Sequence, residues 1–300
     1  MDIGQLQYLV ALAREKHFTR AAKACHVTQP TLSGRIRQLE QELGVPIVER
    51  GQRFIGFTPD GECVLKWAHT ILDNWTSLQL DIAQRRDGQG ALRGHLSVGV
   101  IPSALPMAAL MAKAIHARHP EVELTILSSS SIDILRQLEE FTIDVGFSYL
   151  DNEPVEGMRG EPIYMERYCL LVRAGHELAS APSVSWADAA KEPLCLLTPD
   201  MQNRRIIDRA LRSVGAEATP SLTSNSLLVL YTHVKTGRWA SVMPAKLAET
   251  LGLSDSVRSI PIVDPVVDYS VGLVIPQRDP MTPLIAALVQ VAREVAPTLE

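Results

Sequence analysis

Apolar positions near the start of the chain follow a helical period. Between residues 4 and 16 they recur at i, i+3, i+4 and i+7, which predicts an amphipathic helix with one buried face. The members of this face are Leu6, Leu9, Val10 and Ala13. Thr19 is the expected capping residue of a second, short helix over residues 20–25.

A third helix is predicted over residues 29–43. Thr28 is its expected N-cap, Pro30 fits its first turn, and Gly44 is a typical terminating residue. The predicted inward residues are Leu32, Ile36, Leu39 and Leu43. The opposite side is small, polar and basic; it holds Pro30, Ser33, Gly34, Arg37 and Gln41, with Thr31 and Gln38 at its margin. This side fits a helix-turn-helix that reads the major groove of DNA, and it equally fits an ordinary solvated helix face.

The next segment predicts a hairpin beside this helix. Residues 45–48 and 54–57 are short apolar runs that can pair, and the turn between them presents Arg50 and Arg53. Arginines on such a wing can enter a minor groove or hold phosphates, although exposed arginines on a hairpin usually have no special role.

A long helix follows, beginning at Thr58 and Pro59. Its apolar residues are spaced 4, 3, 4, 3, 4, as in a coiled-coil seam: Val64, Ala68, Ile71, Trp75, Leu78 and Ile82. This seam predicts a homodimer, and the alternative is a helix packed on its own chain. Residues 88–90 are predicted to form a hinge-like linker.

From residue 94 onward, strand and helix signals alternate, which predicts an α/β architecture with parallel strands. A second unit is expected from about residue 162, with the last strand and helix returning to the first unit. Ser103 and the serine run of residues 128–131 follow two of the predicted strands and lie beside predicted helix starts, where small anions bind readily. These serines could equally serve only as helix caps.

Composition excludes several classes of protein. The 300 residues carry a net charge of −5, but residues 1–60 hold eight basic against six acidic residues, whereas residues 91–300 hold eighteen against twenty-four. No apolar run is long enough to span a membrane or to form a signal-peptide core, so we expect a cytoplasmic protein. The four cysteines are scattered without metal-ligand spacing, and no metal or cofactor is expected. Catalytic motifs such as G-x-S-x-G or H-E-x-x-H are missing, which disfavours an enzyme.

The sequence of the N-terminal part resembles that of the LysR-type transcriptional regulators. The matching positions are Ala21, Ala22, the run 27–33, Ile36, Leu39, Glu40, Leu43, Gly44 and the run 58–61. The resemblance implies a winged helix-turn-helix, a dimerising linker helix and a two-lobed effector domain similar to periplasmic binding proteins. The DNA-binding residues are then expected to be Thr28, Gln29, Pro30, Thr31, Ser33, Arg35, Arg37, Arg50 and Arg53. The effector-binding residues are expected to be Pro102, Ser103, Ser130, Ser131, Thr198, Met201 and Asn203. Gly34 departs from the family, in which a longer side chain is common at this position.

The expected domains are residues 1–58 for DNA binding, 59–90 for the linker, and 91–300 for effector binding. Within the last, lobe I is expected over 91–161 and 267–300, and lobe II over 162–266. The expected partners are double-stranded promoter DNA, a small and anionic effector, a second copy in a dimer or dimer of dimers, and RNA polymerase. Residues 17–61 also resemble regulators encoded beside formate dehydrogenase operons, which makes formate one candidate effector. The alternative function is a small-molecule-binding α/β protein or enzyme without a role at DNA.

Overall fold

The structure of the chain is a computed structural model. It describes residues 1–49, 54–87, 92–151, 157–250, 252–253, 255–277 and 281–298. The chain divides into two compact units, of which the first comprises residues 1–92 and 140–142 and the second residues 93–139 and 143–300. Within the described ranges, no helix combines the length and the apolar content needed to cross a membrane.

The helices of the first unit are α1 (Ile3–Glu15), α2 (Phe18–Ala24), α3 (Gln29–Leu43) and α4 (Pro59–Asp87). A capping box begins α1, because Asp2 Oδ1 accepts from the Gln5 amide and Gln5 Oε1 accepts from the Asp2 amide. Thr28 caps α3 as predicted, and Gly44 ends it in the left-handed region at φ 72°. The cap of α2 differs from the prediction: it is His17, whose Nδ1 accepts from the Thr19 amide at 3.2 Å.

The core of this unit is formed by apolar faces of all four helices. The fully buried residues include Leu6, Leu9 and Leu12 of α1, Ala21 and Ala22 of α2, and Leu32, Ile36 and Leu39 of α3. Two details of the predicted faces are wrong. In α1, Leu12 is fully buried, whereas the predicted Val10 and Ala13 are only partly buried. In α3, Leu43 is 42% exposed because it lies in the last turn of the helix.

The segment between α3 and α4 is anchored by hydrogen bonds. Val48 forms an antiparallel bridge with Phe57, which is the described part of the predicted hairpin. The buried carboxylate of Glu40 accepts from the amides of Ile47 at 2.9 Å and Val48 at 3.1 Å. Glu40 therefore fixes the direction in which the chain leaves α3.

The contacts at the start of α4 explain why threonine and glycine occur at positions 58 and 61. Thr58 Oγ1 accepts from the Gly61 amide at 2.9 Å and donates to the Pro46 carbonyl at 2.6 Å. A Cβ at Gly61 would lie 2.1 Å from the Ile47 carbonyl oxygen. Only glycine allows this close approach of helix and strand.

The second unit contains the following strands: β1 (Arg93–Val100), β2 (Glu121–Ser128), β3 (Val145–Tyr149), β4 (Met158–Glu166), β5 (Tyr168–Arg173), β6 (Val184–Ser185), β7 (Cys195–Leu197), β8 (Leu222–Ser224), β9 (Ser241–Pro244), β10 (Val257–Val263) and β11 (Tyr269–Pro276). Its helices are α5 (Leu105–Arg118), α6 (Ser131–Glu139), α7 (Trp186–Ala189), α8 (Gln202–Ser213), α9 (Leu227–Lys235), α10 (Ala245–Thr250) and α11 (Pro283–Val295).

Two sheets organise this unit into two lobes. The sheet of lobe I has the order β2-β1-β3-β11-β4, and lobe II holds the sheet β6-β10-β5-β9 with the pair β7-β8. The expectation of parallel strands is only partly correct: β1, β2 and β3 are parallel, but β11 runs antiparallel to β3 and β4, and β5 is antiparallel to β9 and β10. These antiparallel pairs arise because the chain crosses between the lobes twice.

The crossovers are short. The first lies between Glu166, the last residue of β4, and Tyr168, the first residue of β5, and the second lies between Val263 and Tyr269. Because β4 pairs with β11 along its whole length, the chain leaves the sheet of lobe I at Glu166 rather than at residue 161. The last strand and helix, β11 and α11, pack on lobe I.

Candidate functional sites

The outward side of α3 is the first candidate site. Thr28, Gln29, Pro30 and Thr31 are exposed at its start, and Ser33 is half-buried. The hydroxyls of Thr28 and Thr31 lie 2.8 Å apart, so the cap also orders these two side chains. The helix thus presents short polar groups at its first turn.

The basic residues of this helix differ in their surroundings. Arg35 is held by Asp2, with Nη1 3.1 Å from Oδ2, and also donates to Gln38 Oε1 at 3.2 Å. Arg37 is exposed and has no hydrogen bond or ion pair with the residues that the structure describes. Arg37 is therefore the more available cation, whereas Arg35 ties α3 to the start of α1. Arg50 and Arg53 of the predicted wing lie outside the described residues.

The apolar seam of α4 is divided between two environments. Ala68 is fully buried, and Val64 and Ile71 pack against the core of the first unit. Trp75, Leu78 and Ile82 are 41%, 50% and 46% exposed. The first half of the seam is thus covered by its own chain, while the second half leaves large apolar side chains uncovered in the single chain. Trp67, which lies off the seam, is also exposed.

A small cavity lies in the second unit, at the carboxyl ends of β1, β2 and β3. It is lined from lobe I by Ile101, Pro102, Ser103, Ser130, Ser131 and Tyr149, and from lobe II by Leu197, Met201, Gln202 and Asn203. The cavity has room for roughly one water molecule. Of the residues expected to bind an effector, the fold brings all but Thr198 to the wall of this cavity.

Sequence reasoning missed one polar member of the wall, Tyr149, while Gln202 lies in the loop 198–203 that the family resemblance indicated. Tyr149 ends β3, the third parallel strand, so the rule that ligands bind at the carboxyl edge of such strands could have found it. Gln202 is the first residue of α8, beside the predicted Met201 and Asn203.

Polar atoms without partners surround this cavity. Among the residues that the structure describes, the buried side-chain atoms lacking a hydrogen bond are Ser131 Oγ, Thr198 Oγ1, Gln202 Nε2, Gln202 Oε1 and Asn203 Oδ1. Ser131, Gln202 and Asn203 line the cavity, and Thr198 follows its lining residue Leu197. Since buried polar groups are normally paired, this concentration marks the cavity as the candidate binding site of the second unit.

A buried carboxyl lies directly behind the cavity wall. Glu166 is fully buried, and it accepts hydrogen bonds from Tyr149, from Tyr164 at 3.3 Å and from Tyr168 at 3.4 Å. Burial raises the pKa of Glu166 to about 7, against the opposing effect of these hydrogen bonds. The pKa values of the three tyrosines are raised by the same burial, so all three remain neutral donors.

The same network joins the two lobes. Asn203 Nδ2 of lobe II donates to the Tyr149 hydroxyl of lobe I at 3.1 Å, and Ser103 Oγ lies 3.4 Å from that hydroxyl. A hydrogen-bonded chain therefore runs from the cavity wall to Glu166 at the first crossover between the lobes.

The cysteines lie away from this chemistry. Among the described residues, no cysteine lines the cavity, and Cys195 and Cys169 are buried in lobe II, where burial raises their pKa values to about 11 and about 12. A buried thiol with a raised pKa is a poor nucleophile. In the described part of the chain, no group of three or more potential ligands is placed to hold a metal ion.

Comparison with known proteins gives matches over both units. The model of the bacterial regulatory helix-turn-helix protein of the lysR family matches residues 3–62, and the LysR substrate binding domain matches residues 89–297. The DNA-binding transcriptional dual regulator OxyR of Escherichia coli K12 is 32% identical over 278 residues, covering 91% of this chain and 89% of that protein. A relative from Dickeya chrysanthemi, named a hydrogen peroxide-inducible genes activator, is 30% identical and covers 98% of this chain and 95% of its own length.

Solved structures agree with this relationship. A full-length variant of OxyR from Pseudomonas aeruginosa superimposes with a TM-score of 0.81 at 26% identity, covering 98% of this chain and 95% of that chain. Full-length CbnR in complex with its target DNA shares the fold, with a TM-score of 0.63 at 22% identity, covering 99% of this chain and 100% of that chain.

Proposed function

Because the chain belongs to the LysR family of DNA-binding transcriptional regulators, we propose that it switches a promoter when a small molecule binds in the cavity between lobe I and lobe II. The observation that carries this proposal is the group of unpartnered polar atoms around one cavity that both lobes line. The relatives are regulators and not enzymes, so the alternative of an enzyme is set aside.

The proposed DNA-binding element is α3 with the wing that follows it. The exposed amide of Gln29 and the hydroxyl of Thr31 lie at the start of the helix, where side chains of a recognition helix reach base edges. We assign Arg37 to a phosphate, because its guanidinium is exposed and has no partner in the described chain. The other proposed contacts are Thr28, Pro30, Ser33, Arg35, Arg50 and Arg53.

An anisotropy titration tests this assignment. The full-length protein is titrated with its own upstream intergenic DNA and with a scrambled control at about 150 mM salt. Gln29→Ala is expected to weaken only the specific complex, by about 1–3 kcal/mol, because it removes a base contact. Arg37→Ala is expected to weaken both complexes and to lower the slope of affinity against salt by about one.

The matched control is Arg14→Ala, which removes an exposed arginine of α1 outside the proposed interface. It is expected to leave both affinities unchanged. Wild-type affinity of Gln29→Ala and Arg37→Ala for both DNAs would overturn the assignment of α3.

We further propose that the protein acts as a homodimer, or as a dimer of dimers, through the exposed half of the α4 seam. Trp75, Leu78 and Ile82 are large apolar side chains that a partner helix would cover. A two-fold dimer presents two recognition helices, so its operator is expected to be partly palindromic. Because a promoter is its proposed site of action, we also propose that the protein works in the cytoplasm.

Signalling in this proposal follows from linkage. A molecule that touches Ser131 of lobe I and Gln202 of lobe II binds one spacing of the lobes better than another, and it thereby shifts the population toward that spacing. We propose that this shift changes the placement of the DNA-binding units, the bend of the promoter and its use by RNA polymerase.

The proposed response needs no thiol chemistry. Relatives are named for induction by hydrogen peroxide, but the described wall of this cavity holds Gln202 and Asn203 at the start of α8 and no cysteine. The burial of Cys169 and Cys195 supports the same proposal. Reversible binding, rather than oxidation, is the chemistry that the cavity favours.

A further inference from the structure

The hydrogen-bonding capacity of the cavity is defined by its amide side chains. Gln202 offers one free donor, Nε2, and one free acceptor, Oε1, and this pairing is the same whichever way the amide is turned. The hydroxyl of Ser131 can donate or accept. A ligand of this site must therefore carry both a donor and an acceptor.

The orientation of Asn203 is fixed by its neighbours. The Tyr149 hydroxyl donates to Glu166 Oε1 and has no second hydrogen to give. The Tyr149 oxygen can then only accept from Asn203, which requires Nδ2 at this contact. Asn203 Oδ1 is left as a second free acceptor, fixed by this network.

No positive charge balances these acceptors. Among the described residues, the wall holds no lysine, arginine or histidine. Arg204 follows the lining residue Asn203 and is buried, but its guanidinium already has partners. Its Nε lies 2.8 Å from Asp208 Oδ1, and its Nη1 donates to the Leu197 carbonyl at 2.8 Å. Above about pH 7, where its carboxyl loses its proton, Glu166 adds a negative charge behind Tyr149 because its pKa is raised to about 7.

The helix starts at the cavity differ. The start of α6 is capped by Ser130, whose Oγ accepts from the Asp133 amide, and it carries the carboxylate of Asp133 in its first turn. The start of α8 and the helical turn Pro102–Ala104 have neither a side-chain cap nor an acidic residue. An anion would find donors at these starts, at Gln202 Nε2 and at Ser131 Oγ, but it brings no hydrogen for the two buried acceptors Gln202 Oε1 and Asn203 Oδ1.

We propose that the effector is a small uncharged molecule of the primary amide class, and not an anion. A primary amide has two N–H donors for Asn203 Oδ1 and Gln202 Oε1, and a carbonyl acceptor for Gln202 Nε2 or Ser131 Oγ. The cavity as it stands has room for about one water, so an amide of a few non-hydrogen atoms enters only as the lobes move apart, which is the change of lobe spacing that the proposed switch requires. This proposal rests on the proposed function and replaces the anionic effector expected from the sequence.

Matched pairs of probes test the charge of the ligand. The full-length protein is studied by isothermal calorimetry and thermal unfolding with formamide against sodium formate and with acetamide against sodium acetate, at an ionic strength equalised with sodium chloride. The measurements are made at about pH 8, where Glu166 is mostly ionised because its pKa is about 7. We expect saturable binding and a raised Tm with at least one amide, and no effect of either salt beyond the sodium chloride control.

Variants tie the binding to the cavity. Gln202→Leu keeps the approximate size and removes both polar atoms, and it is expected to weaken amide binding at least tenfold. Ser131→Ala, a smaller change, is expected to weaken it less. The control Gln290→Leu alters an exposed glutamine of α11 and is expected to bind like the wild type.

The outcomes distinguish a failure of the amide proposal from a failure of the proposed regulatory function. Binding of formate or acetate as tightly as the amides, binding of neither amide, or amide binding that Gln202→Leu and Ser131→Ala leave intact would overturn the amide proposal. Specific promoter binding in the anisotropy titration would then still support the regulator. Amide binding without specific binding to promoter DNA would instead retain the ligand and overturn the proposed function.

Discussion

Two glycines of the first unit have opposite surroundings. Gly34 lies within α3, and nothing lies within 4 Å of the position of an added Cβ, whereas a Cβ at Gly61 would meet the Ile47 carbonyl at 2.1 Å. Gly34→Ala is therefore expected to raise the free energy of unfolding by about 0.5–1 kcal/mol, because alanine restricts the unfolded chain and favours the helix. Gly61→Ala is expected to lower it by about 1–3 kcal/mol, because helix and strand must move apart. Urea denaturation of both variants measures the two effects, and a destabilised Gly34→Ala would contradict the open surroundings of α3.

The cysteines differ in their access to solvent. Cys63 is exposed, whereas Cys169 and Cys195 are buried and their pKa values are raised to about 12 and about 11 by that burial. With a thiol-reactive chromophore at neutral pH, Cys63 is expected to react quickly in the native protein, and Cys169 and Cys195 only after unfolding. Cys63→Ser is expected to remove the fast phase. Rapid labelling of Cys195 in the folded protein would show that lobe II opens and would restore a thiol-based response as a candidate.

At the scale of elements, local signals predicted more than long-range ones. Helices α3 and α4 begin at the residues that the sequence indicated. Their caps and the spacing of their apolar residues depend only on residues that are close together in the chain. The strands β4 and β10 depend instead on their pairing with β11 and β5, which lie far away along the chain. The end of β4 at Glu166 could not be inferred for the same reason.

The crossover between the lobes carries a pH-dependent contribution to stability. The pKa of Glu166 is raised by burial from 4.5 to about 7 in the folded chain, so its contribution is fully present below about pH 4.5 and is lost as the pH rises through about 7. Roughly 3 kcal/mol of unfolding free energy is expected to disappear over this range. Glu166→Gln carries no titrating proton and is expected to flatten the profile.

Urea midpoints of the wild type and of Glu166→Gln at several pH values between 5 and 8 check this expectation. Glu139→Gln, which changes an exposed glutamate of α6, serves as the control and should retain the profile of the wild type. Parallel profiles for the wild type and Glu166→Gln would mean that folding does not raise the pKa of Glu166.

The candidate site of the second unit joins residues that are distant in sequence. Ser103, Tyr149 and Asn203 meet around one hydroxyl although about fifty residues separate each from the next. The serines could be predicted because each follows its own strand, and the resemblance to a family supplied the loop before α8. The contact of Tyr149 with Glu166 could not be predicted, because it depends on β11, from the end of the chain, pairing between β3 and β4.

The exposed half of the α4 seam predicts that the protein assembles as a homodimer. Trp75 is 41% exposed, so Trp75→Glu is expected to leave the fold of the single chain intact while it places a charge where a partner helix would pack. Sedimentation is expected to show dissociation to monomers. Because two linked recognition helices bind far more tightly than one, affinity for a full palindromic operator is expected to fall by roughly 100-fold or more, toward that for a half-site.

The neighbouring variant Asn74→Glu adds the same charge to an exposed position off the seam and is expected to keep the assembly and DNA affinity of the wild type. A dimer of Trp75→Glu with unchanged stability would place the contact between copies elsewhere. The fully buried Ala68 would then belong to a seam that serves its own chain only.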